Sequence, residues 1–280
     1  MPDVEFLAKL EADMQKRVAR SPGLAGVWVI DLATGRGLGA NQDIEFSTAS
    51  AIKVTVLAAI HVKAGRGEID LASTYTVQSH ELVGGTGVLQ YLHTPISLRL
   101  DDIAALMVAV SDNTATNVLI DVVGMDSING LIESVGLKHM RLGRKMGDHA
   151  SVGRGTDNYS TPRDAAELMR AIWAGEILDR KTSDQVLSVL KTPKHSAIAH
   201  SIPRDVGLAD KPGRSDQVST EWALVLLKRR PYAFAGMVGY APGHAPEVFL
   251  GEVAAAVHRC FSVLDRSNQF GRGVPGQFLP

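Results

Sequence analysis

The chain opens with apolar and charged residues mixed at helical spacing, and Val4 to Ala19 reads as an amphipathic helix closed by Ser-Pro-Gly. From Gly23 to Phe46 the spacing changes to alternation, which predicts two strands joined by a turn around Thr34 to Gly37. From Ser50 to about Leu190 the pattern is helical. The stretches Leu98–Val110 and Thr114–Gly124 are amphipathic or buried helices separated by Ser-Asp-Asn. Pro162, suited to the first position of a helix, opens another that reaches Gly175, and Thr182–Thr192 is one more. After Lys191 the character changes again: Val206–Asp216, Ser219–Leu227 and Tyr232–Tyr240 are strand-like, the last two forming a hairpin over Lys228–Pro231. A long helix, Glu247–Arg266, follows.

Strands at both ends of the chain with helices between predict an α/β (α+β) fold: an antiparallel five-stranded sheet flanked by terminal helices, with an inserted all-helical domain. The expected boundaries are 1–46 plus 191–265 for the sheet domain and 47–190 for the helical one. The Gly/Pro-rich residues 266–280 are expected to form a flexible tail.

Amid these helices a single residue is out of place. Lys53 stands among Ala51, Ile52, Val54, Val56, Leu57, Ala58, Ala59 and Ile60. Ser50 lies three residues earlier, on the same helical face. An amine beside a hydroxyl in an apolar setting has the makings of a base beside a nucleophile. A plainer reading is also open: Ser50 as a helix cap and Lys53 reaching out to water. The spacing itself recurs at Ser188 and Lys191, where no function is expected.

Composition narrows the classes. The 280 residues are 45% hydrophobic and 21% charged, with a formal net charge of -1, so no nucleic-acid partner is expected. Cys260 is the single cysteine, and His195 and His200 are five apart without a metal-binding pattern, so no metal and no cofactor is expected. No apolar run is long enough for a membrane span, and the first helix is too charged for a signal peptide. The sequence as written therefore predicts a cytoplasmic protein, or an extracytoplasmic one if a leader has been removed.

Two further short motifs accompany Ser50-Ala51-Ile52-Lys53: Ser111-Asp112-Asn113 and Lys211-Pro212-Gly213. Singly, Asp112 or Asn113 reads as a cap for the following helix, and Lys211 as an edge-strand lysine. In order and spacing, the three motifs resemble the Ser-x-x-Lys, Ser-Asp-Asn and Lys-Thr-Gly set of class A β-lactamases, a branch of the penicillin-recognising serine hydrolases. The segments Phe46–Ile60, Gly84–Leu92, Leu98–Gly124, Ser160–Met169 and Trp222–Leu227 carry the resemblance further, over about residues 4 to 262.

The resemblance implies that Ser50 attacks a carbonyl to give an acyl-enzyme and that Lys53 handles its proton. It implies that Ser111 passes a proton to the leaving nitrogen and that Asn113 binds the substrate's side-chain amide. Lys211, with Gly213, Arg214 and Ser215 after it, would tune Ser111 and bind the substrate. The N–H groups of Ser50 and Arg214 would form the oxyanion hole. The partner implied is a small acyl substrate: a β-lactam, a peptide or an ester.

Two positions depart from that pattern. Class A enzymes carry a Glu-x-x-Leu-Asn motif in an omega-shaped loop, whose glutamate activates the hydrolytic water. Aligning Arg141, Leu142 and Arg144 puts Met146 at that glutamate, and no Glu occurs between Glu133 and Glu167. Met cannot accept a proton. Asp148 and His149 are the substitute bases within reach, or else solvated loop residues. The second departure is Pro212, which has neither hydroxyl nor N–H where the family has Thr or Ser. Arg214 or Ser215 is the candidate to compensate in binding a carboxylate. The attacking half of the chemistry is therefore expected to be intact and the water-activating half missing, leaving slow β-lactam turnover. A non-turnover, acylated scaffold or sensor is the alternative outside enzymology.

Overall fold

A computed structural model describes residues 2–275. The chain divides into two compact units: Met1–Ala49, Thr161–Arg170 and His195–Pro280 form the first, Ser50–Ser160 and Ala171–Lys194 the second. The elements in chain order are α1 (Pro2–Val18), β1 (Leu24–Asp31), β2 (Gly37–Ala40), β3 (Phe46–Ser47), α2 (Lys53–Gly65), β4 (Thr74–Val77), β5 (Ile96–Arg99), α3 (Leu100–Ala109), α4 (Asn113–Val123), α5 (Met125–Ser134), α6 (His149–Gly153), β6 (Tyr159–Ser160), α7 (Pro162–Ala174), α8 (Arg180–Leu190), α9 (Ala197–Ser201), β7 (Gly207–Ser215), β8 (Val218–Leu226), β9 (Tyr232–Gly239) and α10 (Ala245–Asp265).

In the first unit the five-stranded sheet runs in the order β2-β1-β9-β8-β7, and each pair of neighbours is antiparallel. The register places Val27 opposite Gly236 and Lys211 opposite Trp222. Leu7, Leu10, Met14 and Val18, one stripe of α1, pack into a core with Val27 and Val29 of β1, Phe234 and Val238 of β9, and Leu250, Val253 and Val257 of α10. Central strand β9 is buried at every residue, as a strand covered on both faces must be. The hairpins are fixed by acids. Buried Asp31 accepts from Ala33 N (3.0 Å) and Thr34 Oγ1 (2.8 Å) in the β1–β2 turn and pairs with Arg230 (2.7 Å). Asp265 Oδ1 accepts from the N–H groups of Arg229 (2.6 Å) and Arg230 (3.0 Å), so that basic cluster closes the β8–β9 hairpin.

The second unit is built around α2. Its residues Lys53 to Val62 are all buried, so this helix has no polar face. Helices α3, α4, α5 and α8 pack against it. The expectation that this region is all helix is corrected by β4 and β5, an antiparallel ladder pairing Thr74 with Arg99 and Val77 with Ile96. Both strands are four residues long and half of their residues are exposed, too short to show against the helical background.

The decapeptide Thr161–Arg170, within the span expected to be helical insert, sits in the first unit. There Arg163 lies 4.3 Å over the Trp28 ring and pairs with Asp43 (2.6 Å). Of the stretch expected to be a flexible tail, Val274 N donates to Arg266 O (2.7 Å), and Asn268 Oδ1 accepts from Phe270 N (3.0 Å) and Arg272 N (3.1 Å). Residues 276–280 lie outside the described residues.

Candidate active site

Ser50 occupies a 3-10 turn, Ala49–Ile52, that runs directly into α2. Residues three apart eclipse one another in such a turn, which keeps Ser50 and Lys53 on one face. Ala49 is held at φ 44°, a conformation non-glycine residues rarely adopt.

Lys53 is fully buried and does not reach for water. Its Nζ donates to Ser111 O (2.6 Å), Ser111 Oγ (3.0 Å) and Asn113 Oδ1 (2.9 Å). These contacts tie the Lys53 amine to the turn that carries Ser111 and Asn113. The other Ser-x-x-Lys pair is different: Ser188 and Lys191 are both exposed at the end of α8.

Ser111 has φ 55°. Its strained turn joins α3 to α4 and is held from several sides. Asp112 caps α4 as the plainer reading foresaw, its Oδ1 accepting from Ala115 N (3.0 Å). Asp112 also does what the sequence did not disclose. Its Oδ2 accepts from Val88 N (2.7 Å) and Leu89 N (2.9 Å), tying the Gly84–Leu89 loop to the turn. Gly87, at φ 106°, makes that approach feasible: a Cβ there would stand 2.3 Å from Asp112 Cγ. Asn113 Nδ2 donates to Gly84 O (2.9 Å), and Asn113 N to Thr86 O (3.1 Å).

The loop holding Met146 is stitched down in the same unit. Asn117 grips the Met146 backbone both ways, accepting from its N–H (2.8 Å) and donating to its carbonyl (3.0 Å). Arg144 pairs with Asp157 (2.8 Å), and Asn158 Oδ1 accepts from Gly143 N (2.8 Å) and Arg144 N (3.0 Å). Met146 itself is 8% exposed. A cavity of about 980 Å³ lies here, lined by Val83, Asn113, Asn117, Met125 and Met146 among others.

The two substitute bases are poorly prepared for that task. Asp148 caps α6, its carboxylate accepting from Ser151 N (2.9 Å) and Ser151 Oγ (2.6 Å). The Ser151 hydroxyl, then its N–H, hold the Asp148 carboxyl below the usual carboxylate range, which makes it a weaker base. His149 is exposed, and its N–H donates to Gly147 O (2.9 Å).

In the first unit, Lys211, Pro212, Gly213, Arg214 and Ser215 follow one another along the edge strand β7. An edge position is where a sheet tolerates proline. Lys211 is buried and donates from Nζ to Pro212 O (2.7 Å). Arg214 is half-exposed and bonds the Glu247 carboxylate, which also has His195 Nδ1 and His244 Nδ1 at 3.8 Å. Ser215 is exposed.

The sequence reading passed over Glu221 on β8, opposite Pro212. It is 2% exposed; its Oε1 accepts from Ala197 N (2.8 Å), while Oε2 has no hydrogen-bond partner among the described residues. Burial, reinforced by the nearby Asp210 charge, pushes its carboxyl up to about 8. The signal was a single acid immediately before the apolar run Trp222–Leu227. Among the described residues no group of histidine, cysteine and acidic side chains is arranged to hold a metal, and no helix is long and apolar enough to cross a membrane.

The model of the β-lactamase enzyme family matches residues 9–261. The chain belongs to that family. It is 25% identical over 238 residues to the β-lactamase SME-1 of Serratia marcescens, covering 80% of this chain and 76% of that protein. Among solved structures, a β-lactamase from Sphaerobacter thermophilus superimposes with a TM-score of 0.84 at 26% identity, covering 91% of this chain and 97% of that one. A mutant of PBP-A, solved as an acyl-enzyme complex with penicillin-G, gives the same TM-score, identity and coverage. Family and fold make the protein a serine hydrolase of the β-lactamase type.

Proposed function

We propose that the protein takes an acyl group from a small amide or ester, a β-lactam among them, onto Ser50 and releases it slowly. Lys53 relays the Ser50 proton. Ser111, in hydrogen-bond contact with Lys53, delivers a proton to the leaving nitrogen. Asn113 binds the substrate's amide, and Lys211, Gly213, Arg214 and Ser215 on β7 serve its carboxylate side.

The observation that carries the first half of this reading is the Lys53 cage: a buried amine on Ser111 Oγ, Ser111 O and Asn113 Oδ1. The second half rests on Met146, an apolar side chain where a water-activating carboxylate would stand, with Asp148 committed to its helix cap. General-base assistance is worth about 10²–10⁴ in rate, so its loss leaves the acyl-enzyme long-lived.

Pro212 supports a second reading of the substrate, a small neutral ester or amide, because it brings no hydroxyl or N–H to a carboxylate. Intact-protein mass against time after a penicillin pulse tests both. A single long-lived adduct, absent from Ser50→Ala, is expected. Fast appearance of ring-opened product without an adduct contradicts slow release, and no adduct at all leaves the ester reading.

A further inference from the structure

The Gly84–Leu89 loop brings one hydroxyl onto the Lys53–Ser111 pair that neither motif nor family assignment names. Thr86 Oγ1 donates to Ser111 O at 2.7 Å, the same carbonyl that accepts from Lys53 Nζ. It also lies 3.3 Å from Asn113 Oδ1, the third acceptor of the Lys53 amine. The Thr86 carbonyl accepts from Asn113 N at 3.1 Å, so the residue holds both ends of the turn. Ser111 needs holding. Its φ of 55° is unfavourable for a residue with a Cβ, and such a conformation persists only where its surroundings over-determine it. A carbonyl oxygen has two lone pairs, and here they meet one amine and one hydroxyl.

We propose that Thr86 is a positioning residue for proton delivery by Ser111. By pinning the Ser111 carbonyl it fixes the strained backbone from which Ser111 Oγ projects, 3.0 Å from Lys53 Nζ. The proposal rests on the Ser50 acyl-enzyme reading. It makes a demand that a general role in folding does not. The Ser111 proton matters only where the leaving group is too basic to depart unprotonated. An amide nitrogen is such a group, and p-nitrophenolate is not. The Thr86 hydroxyl therefore matters for penicillin G and is irrelevant for an activated aryl ester.

The test is single-turnover acylation of Ser50 by penicillin G and by p-nitrophenyl acetate in the full chain, comparing wild type, Thr86→Val, Thr86→Ala and Thr86→Ser. Thr86 is exposed, so Val keeps its shape without burying new surface, and Ala serves if Val does not fold. Losing one such hydrogen bond is expected to slow penicillin acylation about three- to tenfold in Val and Ala. Ser is expected to retain the wild-type rate, and all variants to react equally with the ester. Equal penicillin rates in Val and wild type overturn the proposal. So does a loss of the same size with both probes, or a Ser variant as slow as Val. Labelling of wild type by the ester alone overturns it while leaving Ser50 as nucleophile. No label from either probe removes the Ser50 reading and this proposal with it.

Discussion

Replacing Met146 by glutamate puts the proposed cause of slow release to a direct test. The backbone at 146 does not depend on the side chain, because Asn117 holds its N–H and carbonyl at 2.8 and 3.0 Å. Arg144 with Asp157, and Asn158 with Gly143 and Arg144, keep the flanking turns in place. Met146→Glu is therefore expected to fold with the carboxylate presented from an unchanged loop. Giving up the burial of a methionine costs about 1.5–3 kcal/mol. Water entering the adjoining 980 Å³ cavity lets the new carboxylate stay solvated. Against that stands a general base worth about 10²–10⁴ in deacylation, or roughly 3–5 kcal/mol of barrier. The assay is the decay of the penicillin adduct on Ser50, followed by intact mass after a short pulse, with Met146→Gln as the isosteric control. The Glu variant is expected to shed its adduct at least about a hundredfold faster than wild type, and the Gln variant no faster than a few-fold. Equal adduct lifetimes in a folded Glu variant and its Gln control would refute the idea that a missing base limits release.

Four other outcomes follow. Lys53→Met keeps the volume and removes the amine; Ser50 acylation by penicillin is expected to fall by at least about 10²-fold in the same mass assay. Asp148→Asn keeps an acceptor for the α6 cap and should leave adduct decay unchanged, whereas a fall of about 10²-fold or more would restore Asp148 as the base. Glu221 has its folded carboxyl raised from 4.5 to about 8, so its effect on stability has a fixed sign. The folded state binds the proton more tightly, and stability declines as pH rises from about 4.5 to about 8. Glu221→Gln is expected to raise Tm most at pH 8 and least near pH 5, and a pH-independent change in Tm would contradict this. Gly87→Ala forces a Cβ into Asp112 at φ 106° and is expected to lower stability by at least about 1–3 kcal/mol in denaturant titration, with Gly67→Ala, open around its Cβ position, as the milder comparison.

The fold was legible because its periods are long and uninterrupted. The stripe of α1, the apolar run of α2 and the apolar runs of β8 and β9 each span enough residues to declare their type. What escaped was short. Four-residue β4 and β5 carry too little pattern to stand out, and the Thr161–Arg170 segment joins the sheet unit through Arg163 on Trp28 and Asp43, contacts that no local pattern encodes. At the site, Ser50, Lys53, Ser111 and Asn113 were visible as residue types at characteristic spacings. The second function of Asp112 was not, because a cap and a cross-loop anchor use the same carboxylate. Thr86 was hidden for the same reason: its importance lies in which carbonyl it reaches, some twenty-five residues away. Glu221 left a trace, a lone acid in an apolar strand, whose meaning only burial reveals.

The pairing of β1 with β9 also bears on how the chain comes to be folded. Val27 and Gly236 are partners in the sheet although about 200 residues separate them. Contacts of such long range are slow to form, since the intervening chain must first be ordered or looped out. On an elongating chain β1 and β2 can form a hairpin early, yet β9, which covers the inner edge of β1, is made only about 200 residues later. Most of the second unit, Ser50 to Ser160, is contiguous, and Ala171–Lys194, which brings α8 onto α2, is also made before β9, so the cage around Lys53 can assemble while the sheet still waits for its middle. The nucleophile and its proton relay thus belong to a unit whose chain is made before the middle strand of the sheet, and Lys211 to the sheet that must wait for that strand.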